Sequence, residues 1–130
     1  MSNWTNGFEW AEDLPEECPP EHATNPNGET YYRMVETVPP TITDFRSSRV
    51  MYPDKSFKVD ECRARSCSLF SDLDACMQKL KLPTQKGKKI VMITLDPTSG
   101  VLAKTGGKNH FSWWRSRHFN PITACSDEIT

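Results

Sequence analysis

A chain of 130 residues is the size of one ordinary domain: long enough to bury a single core, too short for two. Its 36% of hydrophobic residues, its ten prolines and a mean hydropathy of −0.64 place part of it outside that core. The formal net charge of −1 excludes neither sign of partner, because acids and bases are segregated along the chain.

Residues 1–32 hold seven acids (Glu9, Glu12, Asp13, Glu16, Glu17, Glu21, Glu29) and no Lys or Arg; all sixteen bases follow, with ten acids. Between Met77 and Arg117 nine bases stand against one acid, Asp96. A surface of that sign attracts phosphates, acidic proteins or the chain's own acidic opening. The longest apolar run, Ile90–Leu95, is far short of the roughly 20 residues of a membrane span, so no membrane partner is expected. Met1–Leu14 carries three acids and no base, unlike a secretory leader, and the expected location is the cytoplasm. The five cysteines (Cys18, Cys62, Cys67, Cys76, Cys125) include no C-x-x-C pair. Reduced, buried thiols are therefore expected, with neither a zinc ribbon nor a disulfide scaffold, and no cofactor is implied.

In chain order, residues 1–28 read as a flexible acidic arm, since Pro15, Pro19, Pro20 and Pro26 prevent a long helix or central strand. Within it Trp4, Phe8 and Ala11 are spaced to share one face of a short helix. Residues 29–130 read as a single α+β domain with a small mixed or antiparallel sheet and two or three short helices. Asn27-Gly28 is a turn, and Thr30–Val35 is a first strand, ended by Val38-Pro39-Pro40. Thr43-Asp44 caps a short helix through Phe45, Val50 and Met51 that Pro53 closes. Ser66–Phe70 is a strand leading into Ser71, which caps a helix carrying Leu73, Met77 and Leu80 and stopped by Pro83. Gly87–Leu95, apolar on both faces, reads as the central strand. The turn Asp96–Gly100 leads to a return strand, Gly100–Lys104, in a hairpin or bulged corner. Beyond the loop Thr105–Asn109 lies the aromatic stretch His110–Phe119, and Asn120-Pro121 opens a last short helix.

The stretch Lys104–Phe119 interleaves bases with Phe111, Trp113, Trp114, Phe119 and two histidines. Guanidinium and ammonium groups neutralise phosphate, an exposed indole stacks on a base, and the Gly106-Gly107 amides add phosphate donors. Alternate residues facing a core account for part of the same pattern. Gly106-Gly107-Lys108 is followed by Asn109, so the stretch is not a Walker loop. The candidate ligand-binding residues are Arg33, Ser68, Lys108, His110, Trp114, Arg115 and Arg117. Of the three histidines, His110 and His118 are better acid–base candidates than His22, which lies in the arm.

The order of Tyr31-Tyr32-Arg33 on a strand, Ser66-x-Ser68-x-Phe70-Ser71 before a capped helix, and the Gly87–Leu95 strand resembles the compact NAD-binding half of ADP-ribosyltransferase-like domains. The likeness is one of element order and spans Tyr31–Leu95. It implies that Arg33 holds the cofactor's phosphate or ribose, that Ser68 supports the first strand, and that a late strand carries a catalytic acid. Asp96, Asp127 and Glu128 are the acids that remain after the central strand. Three functions are thus in play. The first is a domain binding an anionic ligand (nucleotide, nucleic acid or acidic protein) through a basic aromatic C-terminal surface. The second is an enzyme using NAD for ADP-ribosyl transfer or NAD hydrolysis. The third is a protein-interaction module of a two-component bacterial or phage system, anchored by Trp4, Phe8 and Trp10.

Overall fold

Strands whose large residues alternate sides place apolar surface on both faces of one sheet, and the fold is organised around covering both. The computed structural model describes residues 9–129; Trp4 and Phe8 lie outside the described residues, as do the side chains of Asp127 and Glu128. Among the described residues the strands are β1 (Thr30–Val35), β2 (Cys67–Phe70), β3 (Lys89–Thr94), β4 (Gly100–Lys104), β5 (His110–Arg115) and β6 (Cys125–Glu128). They form one antiparallel sheet in the order β4-β5-β2-β1-β3-β6. The helices are α1 (Ser48–Met51), α2 (Glu61–Ala64), α3 (Leu73–Leu80) and α4 (Pro121–Ala124), with 3-10 turns at Ile42–Phe45 and Pro83–Gln85. The fold is α+β, with one helix more than the two or three expected.

Local chemistry explains where the elements differ from expectation. The helix expected across residues 43–51 is two pieces, because Arg46 is extended and Ser47 starts α1 by accepting from the Val50 amide at 3.2 Å. The unexpected α2 is capped by Asp60, which accepts from the Arg63 amide at 2.8 Å. Asp72, not Ser71, caps α3, accepting from the Ala75 amide at 3.0 Å. At α4 the Asn120 side chain accepts from the Ile122 amide, with Pro121 in the first helical position, as the sequence suggests.

β3 is interior, but β1 and β2 hold the centre, and β3 forms no hairpin with β4: the two lie four positions apart in the sheet. A flat sheet would separate them by roughly 19 Å at about 4.8 Å per strand. The link between them is instead a closed turn, in which the Ser99 amide donates to the Asp96 carbonyl at 3.0 Å. The sheet must therefore curl until the end of β3 meets the start of β4. Residues 24–29 fill the seam: Thr24 exchanges two backbone bonds with Leu102, and Glu29 and Gly28 bond to Leu95.

The inner face of this curl is the main core, where Tyr31, Leu69, Ile93, Leu102 and Trp113 pack with Phe45 and Phe119. Phe45, Trp113 and Phe119 meet edge to face at centroid distances of 4.8–6.1 Å. The outer face has two covers. α3 lays Leu73, Cys76, Met77 and Leu80 over Phe70, Met34 and Ile90. Trp10, Leu14, Cys18 and Ala23 lie over Val101, Ala103 and Trp114.

The second cover is drawn from the stretch expected to be a flexible arm, and over residues 9–28 that stretch is packed into the domain. Ala11 donates to the Arg115 carbonyl, and the Glu12 carboxylate accepts from the amide and hydroxyl of buried Ser47. A Cys18–Cys62 disulfide ties the segment to α2. The expectation of five reduced thiols is thereby corrected: Cys67, Cys76 and Cys125 are free, but Cys18 and Cys62 are joined. No sequence spacing reveals the pair, since its partners are brought together only when the segment crosses β4 and β5. Among the described residues no helix is long and apolar enough to cross a membrane.

Candidate functional site

The two covers do not meet, and the outer face of the sheet is open between them. β2 and β5 present Ser68, Phe70 and His110 there, and β1 presents Met34. α3 adds Ala75 and Lys79, α2 adds Arg63, and the β4–β5 loop adds Gly106 to Asn109. Together they line a cleft of about 520 Å³, within the range of small-ligand sites. Its floor is apolar and its rim carries Arg63, Lys79 and Lys108. No Asp or Glu is among its described lining residues.

His110 is held in one tautomer. Its Nδ1 lies 2.9 Å from the Thr105 carbonyl, which can only accept, so Nδ1 carries the proton and Nε2 keeps its lone pair. The ring packs edge to face on Phe70 at 5.3 Å. Burial first, then the positive charges of Arg63 and Lys79, push the His110 pKa below its ordinary value against the Thr105 bond, which raises it. Gly106 sits at φ +70° beneath the Arg63 guanidinium, and a Cβ there would collide with Nη2. The positive φ is what calls for glycine at this turn, since the far end of the Arg63 side chain can swing away from an added Cβ.

Of the seven residues singled out from the sequence, Ser68, Lys108 and His110 share the cleft. Arg33 adjoins it: its side chain is 8% exposed and spans from β1 to β2, with Nη1 donating to the Ser68 carbonyl at 2.7 Å. Its Nε and Nη2 both donate to the Asp44 carbonyl. Burial alone would raise the Asp44 pKa, but bonds to its carboxylate from Thr37, Thr41 and Glu36 outweigh that and lower it. Asp44 therefore stays ionised while its carbonyl holds Arg33.

The remaining three are elsewhere. Trp114 is 2% exposed, packed beneath the N-terminal segment, and its Nε1 donates to the Cys62 carbonyl at 2.9 Å. It offers no stacking face, which corrects the expectation of a basic aromatic surface built on it. Arg115 donates to the Phe45 carbonyl and Arg117 pairs with Glu9, both at the far end of β5 from the cleft. The reason is periodicity: β5 is covered on both sides, so Trp113 and Trp114 are both core, on opposite faces. Sequence reasoning missed Arg63 and Lys79 as site residues, because nothing in the linear order brings α2, α3 and the β4–β5 loop together.

Comparison with protein-family models, with curated proteins and with solved structures finds no match to this chain.

Proposed function

We propose that this chain is a binding domain for an anionic ligand that carries both phosphate and an apolar ring, a nucleotide being the simplest, seated in the cleft beside His110. The observation that carries the reading is the cleft's composition: Arg63, Lys79 and Lys108 around an apolar floor, with no carboxylate among the described lining residues. Three uncompensated cations in one concavity attract phosphate, and Phe70, Met34 and Leu82 suit the apolar part of such a ligand. A bound phosphate would also favour the imidazolium of His110, which the free cleft disfavours. Titration calorimetry with nucleoside mono- and diphosphates tests it. Binding that weakens at least tenfold in Lys79→Ala/Lys108→Ala supports the reading, and no heat with any nucleotide removes it.

The NAD-dependent reading draws on the Arg33–Ser68 contact at the edge of this cleft. It needs a carboxylate, which neither of the two described cavities at this edge supplies. Release of nicotinamide from NAD is its test. The expected cytoplasmic location bears on the disulfide, because such bonds persist mainly in oxidising compartments. Alkylation in denaturant of the protein as it leaves its cells discriminates: three modified cysteines indicate an oxidising compartment, five a reducing one.

A further inference from the structure

The cleft does not end at Ser68. β1 pairs with β3 along all six residues but with β2 only at Tyr32 opposite Phe70, so β1 and β2 separate beyond that point. A second cavity of about 370 Å³ opens along the separation, and it shares Met34, Ser68, Phe70 and Gln85 with the first. At its far side stand Arg33, Arg46, Lys55 and Lys88, again with no Asp or Glu among the described lining residues.

Arg33 marks this end as built to hold charge. Its guanidinium is buried and lies 5.5 Å from the Phe45 ring centroid, yet its three hydrogen bonds go to carbonyl oxygens, and no carboxylate lies within ion-pair distance among the described residues. Of the five N–H donors of a guanidinium, two remain. A buried cation without a counter-charge is costly, and an anion at this end would offset that cost. Two cationic ends thus flank an apolar saddle of Met34 and Phe70, and the Tyr52 ring, 55% exposed, stands at the rim of the second cavity.

We propose that the two cavities form one trough and that its occupant is a single-stranded oligonucleotide, with phosphates at the two cationic ends and a base over the saddle. The alternation of cation, apolar surface and cation matches phosphate, base and phosphate, and the exposed Tyr52 ring, with the Lys55 ammonium 5.5 Å from its centroid, joins a ring to a cation at the second end. A duplex cannot place its bases on the saddle, and a mononucleotide fills one end only. This inference rests on the anionic reading of the cleft and extends it to the second cavity.

The test uses the full oxidised chain, fluorescence anisotropy with an eight-nucleotide single strand as RNA and as DNA, and a mononucleotide for comparison. Lys55→Ala/Lys88→Ala should weaken the oligonucleotide at least tenfold and leave the mononucleotide unchanged, whereas Lys79→Ala/Lys108→Ala should weaken both. The slope of log affinity against log salt should shrink by about 0.7 for each lost phosphate contact. Melting temperatures check that each variant is folded; for one that is not, Lys55→Gln/Lys88→Gln replaces the alanine pair. Equal affinity for single strand and mononucleotide, or for single strand and duplex, overturns the trough while leaving the cleft reading intact. Failure of both ligands to bind overturns the two together.

Discussion

Arg33 Nη1 and the Ser68 carbonyl lie 2.7 Å apart across the one place where the two central strands stop pairing. The side chain of β1 replaces a ladder bond that the diverging backbones cannot make, and its other two bonds fasten the Asp44 carbonyl. Arg33→Ala strands both carbonyls. At about 1–3 kcal/mol for an unsatisfied buried acceptor, partly offset by removal of a buried charge, the expected loss of stability is about 2–4 kcal/mol. Urea denaturation measures it, and a loss under about 0.5 kcal/mol would show that the guanidinium is no strut.

Trp114 belongs to the core and not to a ligand surface. Trp114→Ala should therefore cost about 3–5 kcal/mol of stability, the range for deleting a buried aromatic. Lys108→Ala, fully on the surface, should change the melting midpoint little. Thermal unfolding of the two variants side by side distinguishes them; similar midpoints would mean that the N-terminal segment does not hold Trp114 covered.

The disulfide closes a loop with a sequence separation of 44. Replacing both partners, as Cys18→Ser/Cys62→Ser, should lower stability by about 2–4 kcal/mol, the usual range for a native bridge. Chemical denaturation of the oxidised wild type and the double variant gives the difference directly.

His110 contributes a specific dependence on pH. Because its folded pKa lies below the ordinary 6.5, the unfolded chain binds the proton more readily. Its stabilising contribution is complete above about pH 6.5 and is lost as pH falls from there to the folded value, below which the loss levels off. His110→Asn should flatten that part of the curve of urea midpoint against pH. An unchanged slope in the variant would assign the titration to another group.

How much of this was legible depends on the range of the signal. The start and end of β1, the body of α3 and the Asn120-Pro121 start of α4 follow from neighbouring residues, and they are where the sequence places them to within a residue or two. β6 was not legible, because Cys125–Glu128 has no alternation of its own and becomes a strand by pairing with β3. Nor was the acidic segment's docking, since prolines and carboxylates look alike whether the chain is free or laid over Trp114. At the cleft, Lys108 and His110 were found because they sit in one dense stretch. Arg63 and Lys79 were not, because only the curled sheet brings their helices to the same opening.

Tyr52 to Ser56 are all exposed, and Lys55 offers a cutting point for a trypsin-like protease within the loop that Cys18 and Cys62 close. A cut there would make a two-chain protein, with β1 and Arg33 on one fragment and β2 with Ser68 on the other, still joined through sulfur. Such a molecule would migrate as one species on a non-reducing gel and as two after reduction, and the two central strands of its sheet would then belong to separable peptides.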